Sequence, residues 1–347
     1  MTEKIPNIIF GTSGLGNLYK ELPFEVKVEI LKACIDASEG EIVFDSAGKY
    51  GAGLALESIA KGLRQLKVDP ERVSISNKLA WYRVPLTSKE PTFEPGVWKN
   101  IHHDAVQKIS YDGIMECYTQ GNTLLGEYKP NMVSVHDPDE YLAAAMDEED
   151  REKRLADIYA AYDALFDLKK SGKVKSIGIG AKNWKSIAEL SEKVDFDWIM
   201  IANSLTIKSH PEDLLKFLKS LHEKDVKVIN SAVFHGGYLL GGDFFDYNYV
   251  DPEDPKNTDL VQWRKSFFRI CDEYSISPFQ ACTQFSKSMP LISSLAINTT
   301  DPTRVLRNVQ LSQKKVPNDF WQALHEERLI EPYVLQYLIK EVNASIL

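Results

Sequence analysis

Eight short runs rich in Val, Ile, Leu, Phe or Met recur along the chain, and a longer amphipathic stretch follows each. The runs fall at residues 7–10, 41–45, 73–79, 132–136, 174–180, 198–203, 226–234 and 290–297. They show little strict alternation of apolar and polar residues, which is the pattern of strands buried on both faces of a parallel sheet. Helical periodicity occupies residues 24–38, 54–66, 104–125, 149–171, 184–194, 211–224, 259–274 and 301–312. Gly172 and Lys173 end the fourth helix with a C-cap glycine and a cation, and Asp301-Pro302 opens the eighth with an N-cap and an N1 proline. Eight strand–helix repeats predict an α/β fold of the closed (β/α)8 TIM-barrel type.

A doubly wound sheet is the rival, and it needs a glycine fingerprint that opens a helix. Gly11-Thr12-Ser13-Gly14-Leu15-Gly16 does not have the GxGxxG spacing, and Pro23 separates it from the next helix. Two segments exceed what a barrel requires, an insertion at 81–103 and a Gly/Asp/Tyr/Pro-rich loop at 235–257. Both lie on βα connections, so both belong on the C-terminal face where barrels place their chemistry. The tail at 317–347 has a helical pattern and is expected to pack outside the barrel, making residues 1–347 one barrel domain with a C-terminal helical extension.

Charge and cysteine usage narrow the function classes. There are 41 Lys+Arg against 50 Asp+Glu, a formal net charge of -9, with no basic block to meet nucleic-acid phosphates. No stretch approaches the ~20 apolar residues that span a bilayer. The opening residues have no apolar core of a secretory signal, and Cys34, Cys117, Cys271 and Cys282 are scattered without CxxC spacing. They read as reduced thiols, so a cytoplasmic protein is expected. His102-His103 is no metal pair, because adjacent residues point apart and no carboxylate has ligand spacing, and no metal is expected. The acidic residues Asp137, Asp139, Asp147, Glu148, Glu149 and Asp150 read as a solvated loop face.

Three strand ends carry chemistry. The second ends Phe44-Asp45-Ser46-Ala47-Gly48-Lys49-Tyr50-Gly51, the third Ser76-Asn77-Lys78, and the fourth Val135-His136-Asp137. A phenol ionises near ~10, too high for acid–base work at neutral pH. A neighbouring ammonium favours phenolate, so Lys78 would lower the pKa of Tyr50, and Asp45 would hold Lys78 charged and aimed. His136 is placed to hydrogen-bond a substrate oxygen. Taken singly, Asp45 reads equally as a cap, Lys78 as a solvated strand end and His136 as a turn residue. Their joint occurrence in strand order favours a site for proton transfer at an alcohol or carbonyl while hydride moves to or from a nicotinamide.

These motifs, with Gly53, Glu57 and Pro138-Asp139, resemble the aldo-keto reductase superfamily from Ile8 to about Gln310. The resemblance implies Tyr50 as proton donor or acceptor, Lys78 and Asp45 as its tuners, and His136 as substrate orienter. Phe10-Gly11-Thr12-Ser13, Leu15-Gly16-Asn17-Leu18-Tyr19 and Ser110-Tyr111-Asp112-Gly113-Ile114-Met115 look like the D-threo-aldose 1-dehydrogenase, or L-fucose (galactose) dehydrogenase, branch. That branch implies oxidation of C1 of an aldose to the lactone with NAD or NADP, Tyr50 acting as base. A reductase of aldehydes or ketones is the alternative within the fold. A cofactor-binding barrel that regulates a partner is the alternative of another class.

For the cofactor, the resemblance implies Gly11, Thr12 and Leu15 on the nicotinamide side with Asp45 nearby. Asn183 and Asn203 are each in position to supply an amide contact, and Phe234, or Val233 in its stead, an aromatic stack. Asn298, Thr299, Thr300, Arg304 and Asn308 occupy the adenosine-phosphate loop. Asn298 stands where NADP-specific members carry Lys, and Asp301 lies close by, which tips the expectation to NAD, although Arg304 leaves a 2′-phosphate site open. Tyr19 and Trp81 are expected to line a sugar pocket with Tyr50 and His136, since aromatic faces stack on the apolar faces of sugars. Trp98 reads equally as a sugar-stacking or a packed-loop residue. The Asp, Asn, His and Tyr content of the two long loops favours a polyol substrate. The particular sugar and the oligomeric state stay open.

Overall fold

Eight parallel strands hydrogen-bond in a ring in the computed structural model, which describes residues 5–339 apart from Glu39, Tyr247 and Pro290. They are β1 (Ile8–Gly11), β2 (Ile42–Ala47), β3 (Val73–Leu79), β6 (Pro130–His136), β7 (Ser176–Ala181), β8 (Trp198–Ala202), β9 (Lys227–Ser231) and β12 (Ser294–Ile297). Two antiparallel hairpins stand apart, β4 (Trp81–Pro85) with β5 (His103–Gln107), and β10 (Phe244–Phe245) with β11 (Asn248–Tyr249). The barrel order, β1-β12-β9-β8-β7-β6-β3-β2, confirms the (β/α)8 expectation, and each predicted apolar run supplies one stave. The seventh run ends early, at Ser231, because Ala232 turns into the left-handed region with φ 53°.

The helices are α1 (Phe24–Asp36), α2 (Leu54–Gln65), α3 (Tyr111–Leu125), α4 (Pro138–Ala143), α5 (Glu148–Lys170), α6 (Trp184–Leu190) and α7 (Glu212–Glu223). Then come α8 (Thr258–Glu273), α9 (Pro278–Ser288), α10 (Pro302–Gln313), α11 (Asn318–Glu326) and α12 (Leu335–Leu338). Two helix expectations need correction. Residues 103–107 do not open a helix but pair with Trp81–Pro85, and α3 starts only where the Ser110 hydroxyl accepts from Gly113 N at 3.0 Å. The amphipathic stretch expected as the seventh barrel helix is α8, which packs between α9 and tail helix α11. The helix that closes the ring beside β12 and α10 is α9, begun by Ser277 as N-cap and Pro278 at N1. The predicted helical tail is seen as α11 and α12, and residues 340–347 lie outside the described residues.

Side chains alternate across each stave. Phe10, Phe44, Ile75 and Leu295 join the α1 and α2 residues in one core, while Val133, Ile177, Ile199 and Val228 join α3, α5 and α7 in another. Ile9, Val43, Met132, Trp198, Met200 and Ile229 form a separate cluster that strand alternation places inside the barrel. It plugs the barrel below its C-terminal mouth. The four cysteines are buried free thiols, and burial pushes Cys117 and Cys271 up to about 12. Among the described residues, no helix is long and apolar enough to cross a membrane.

Gly178 shows how tightly the plug fits. It faces Trp198 across the β7–β8 register, and a Cβ there would stand 2.3 Å from the indole. Replacing it overpacks a close-packed interior, so Gly178→Ala is expected to cost about 1–3 kcal/mol of stability. Urea unfolding midpoints of the two proteins check this.

Candidate active site

Register and alternation bring the acid, the base and the imidazole to one mouth. Asp45 pairs with Ser76 and Ala47 with Lys78 across β2–β3, so Asp45, Ser76 and Lys78 share the inward face. Lys78 Nζ forms an ion pair with Asp45 Oδ2, and the Ser76 hydroxyl donates to Asp45 Oδ1 at 3.0 Å. Thr12 ties β1 to the same residue, donating its N–H (3.0 Å) and its hydroxyl (2.9 Å) to the Asp45 carbonyl. Lys78 Nζ also donates to Tyr50 Oη at 3.3 Å and to the Ser46 carbonyl at 3.5 Å. Burial alone would lower the Lys78 pKa, but Asp45 and then Tyr50 outweigh it and hold the ammonium above its ordinary value.

Tyr50 sits in the turn between β2 and α2, where backbone meets backbone. A Cβ on Gly16 would stand 2.7 Å from the Tyr50 carbonyl carbon, and Gly51 takes φ 61° against the Gly16 carbonyl. The phenol ring is flanked by Trp98, with centroids 5.8 Å apart, and meets the His136 ring edge-on at 5.7 Å. His136 is buried; its Nε2 lies 3.5 Å from Asp137 Oδ2, and its Nδ1 has no hydrogen-bond partner among the described residues. Burial is the main cause that pulls its pKa down to about 3, with Asp137 opposing and Lys78, Lys49 and Lys182 assisting. The imidazole is therefore neutral through the physiological range.

The structure adds residues that the sequence reading did not single out. Lys49 is buried, with its ammonium 2.8 Å from Asp137 Oδ2, 2.8 Å from Glu94 Oε1 and 4.9 Å from the Trp81 ring centroid. Asp137 and Asp139, expected on a solvated face, are buried too, because Asp137 meets Lys49 and Asp139 Oδ2 accepts from the Lys182 and Asn183 N–H groups at 3.1 and 2.8 Å. Asp147 and Glu148–Asp150 cap and open α5, in keeping with a solvated helix start. The available signal for Lys49 was its place directly before Tyr50. Trp98 proves to be a packed residue whose Nε1 donates to Glu94 Oε2 at 2.7 Å.

The expected cofactor residues divide by what already occupies them. Leu15 is buried in the α1–α2 core with Val233, which leaves only its backbone for contact, and the Thr12 hydroxyl is spent on Asp45. The Asn183 side chain caps α6 by accepting from Lys185 N at 3.1 Å. Phe234 stacks on Phe279 of α9 at 5.0 Å. Arg304 pairs with Asp301 at 3.1 Å on the surface. Tyr19 is 50% exposed and donates its N–H to the Val97 carbonyl of the insertion, and Trp81 carries the Lys49 ammonium over its ring. Thr300 packs by Gly14, and Asn298 donates to Ser13 Oγ at 2.8 Å, so the β1 and β12 loops meet.

One feature fits the amide of a nicotinamide. Asn203, just past β8, keeps its Oδ1 buried with no hydrogen-bond partner among the described residues, an acceptor open to an amide N–H. A small cleft between α1 and α10 is lined by Gly11, Asn298, Thr299 and Asn308 together with the apolar Phe10, Ile30, Cys34, Ile297 and Val305, so it is a packing crevice outside β1 and β12.

A model of the aldo/keto reductase family matches residues 7–327. The pyridoxal 4-dehydrogenase of Microbacterium luteolum is 26% identical over 332 residues, covering 92% of this chain and 93% of that protein. A D-threo-aldose 1-dehydrogenase of Pseudomonas sp is 25% identical over 332 residues, covering 94% and 95%. Among solved structures, an aldo-keto reductase from Klebsiella pneumoniae in complex with NADPH has a TM-score of 0.62 at 14% identity, over 94% of this chain and 93% of that one.

The His136 environment has a consequence for acid stability. The unfolded imidazole takes a proton near ~6.5 and the folded one only near about 3, so the unfolded state binds more protons between those values. Its contribution is complete above ~6.5 and is lost as pH falls towards the folded value. Relative to His136→Gln, the native protein should lose about 2 kcal/mol between pH ~7.5 and ~5. Urea unfolding at the two pH values measures it, and parallel pH slopes for both proteins would contradict the deep burial of a neutral His136.

Proposed function

The chain belongs to the aldo/keto reductase family and is an oxidoreductase of it; from that premise we propose that it oxidises C1 of a free aldose to the lactone. The observation that carries this reading is the Tyr50 Oη–Lys78 Nζ contact of 3.3 Å, backed by the buried Asp45 carboxylate. The ammonium stabilises Tyr50 as phenolate, which takes the proton of the C1 hydroxyl. Neutral His136 hydrogen-bonds the same substrate oxygen without competing for the proton. A nicotinamide, when bound, supplies the acceptor for the hydride that leaves C1. Asn203, whose buried Oδ1 is open, would hold its amide, with Gly11, Asn298, Thr299 and Asn308 on the loops that the family resemblance assigns to the cofactor, and the engagement of Arg304 by Asp301 supports NAD.

The relatives support the aldose reading through shared substrate chemistry. Pyridoxal and an aldose both have a carbonyl carbon that a hydroxyl of the same molecule closes into a cyclic hemiacetal. Oxidation at that carbon gives a lactone in either case. Reduction of less polar aldehydes is the second reading, favoured by the aromatic wall of Trp81, Phe93 and Trp98 beside Tyr50.

Absorbance of the reduced cofactor, followed with NAD or NADP and a panel including L-fucose, D-arabinose, L-galactose and pyridoxal, and with NADH or NADPH and simple aldehydes, separates them. Turnover of an aldose is expected, faster with NAD, and Tyr50→Phe should lower kcat/KM by ~10²–10⁴. Reduction of simple aldehydes without turnover of any aldose would select the second reading. A fully active Tyr50→Phe protein would remove the proton-transfer role of Tyr50 under both.

A further inference from the structure

We propose that Lys49 is a positioning residue of this site, one buried ammonium that holds Asp137 against His136 and Glu94 against Trp98. It thereby sets how the imidazole and the aromatic wall beside Tyr50 face the substrate. This rests on the reading of Tyr50 and His136 given above.

The Lys49 side chain is 4% exposed and its Nζ meets carboxylates from separate connections. Asp137 comes from the turn after β6, Glu140 from α4 at 3.4 Å, and Glu94 from the insertion between β4 and β5. Each of the two closest carboxylates is shared. Glu94 uses Oε1 for Lys49 and Oε2 for Trp98 Nε1, and Trp98 lies against the Tyr50 ring. Asp137 presents the same Oδ2 to Lys49 at 2.8 Å and to His136 Nε2 at 3.5 Å. One cation thus reaches both sides of the phenol through two intermediaries.

Stability alone gives little reason for such a cluster, because a buried ion pair is often no better than a well-packed apolar replacement. Geometry gives a reason. With Lys49 on its Oδ2, Asp137 is a neutralised partner for His136. Without Lys49, the carboxylate would draw a proton onto the imidazole. Burial, Lys78 and Lys182 oppose that proton as well, and Tyr50 meets the ring only edge-on. Lys49 holds the carboxylate favouring protonation directly, at 2.8 Å, with Lys182 adding to its field.

Lys49→Met tests this in the unliganded protein and in turnover. Imidazole ¹H–¹⁵N spectra, with the His136 signal identified by its loss in His136→Gln, should show its titration moving up towards ~6.5 in Lys49→Met. Lys49→Arg should keep it near the wild-type position. In turnover, kcat/KM of Lys49→Met should fall about 10- to 100-fold and gain an acid limb that Lys49→Arg lacks. Glu94→Gln, altered at a partly exposed carboxylate, should raise KM several-fold at unchanged kcat. The spectra need no substrate, so they decide the clamp even if no aldose is turned over. An unmoved His136 titration in Lys49→Met overturns the proposal. If that variant does not fold, unchanged KM and kcat in Glu94→Gln overturn it instead.

Discussion

The ion pair between Asp45 and Lys78 places two charges inside a closed barrel, and much of the mouth is organised around keeping them satisfied. Removing either ion from water carries a penalty of several kcal/mol that attraction offsets only when the remaining hydrogen-bonding capacity is met. Ser76 fills the second carboxylate oxygen, and Thr12 fixes the Asp45 backbone from the neighbouring stave. The donors left on Lys78 turn to Ser46 and to the phenol of Tyr50. The same dry compartment treats its two basic groups oppositely. Lys78 has a full counter-charge and stays protonated, whereas His136 shares the Asp137 carboxylate with Lys49 and stays neutral.

The barrel supplies Asp45, Lys78 and His136, and the insertion packs against Tyr50. The hairpin of β4 and β5 is fastened by Arg83, which donates to the Ala52 carbonyl at 2.6 Å and to Glu57 at 2.9 Å, and by Gln120, which grips the Arg83 main chain through N–H and C=O. The loop between the two strands then folds back, burying Phe93, Trp98 and Ile101 with Ala52. Its position beside Tyr50 rests on this apolar cluster together with the polar anchors and Lys49–Glu94.

Fold class was legible in the sequence for a physical reason. Staves buried on both faces are mostly apolar, so the eight runs stand out with no partner specified. Elements that depend on a partner were less legible. Residues 103–107 form a strand only because Trp81–Pro85 lies alongside, and by themselves they extend the periodicity of α3 backwards. The pattern of α8 is amphipathic because it packs on α11, and nothing local distinguishes that neighbour from a barrel wall. Ser277-Pro278, an N-cap and N1 proline not singled out from the sequence, opens α9, the helix that completes the ring.

Asp45, Tyr50, Lys78 and His136 were readable from the chain itself, because strand ends in a parallel barrel converge on one mouth and a position along a strand is one-dimensional information. Only the tertiary structure decided which polar groups were already engaged. It buried the Leu15 side chain, turned the Thr12 hydroxyl proton to the Asp45 carbonyl and the Asn183 oxygen to its own helix, and left the Asn203 oxygen open. It also joined Lys49 to Asp137 across 88 positions of chain, and to Glu94 through a loop with no periodicity. Charge, burial and hydrogen bonding are set by distances in space, and a sequence fixes such distances only where a regular element measures them out.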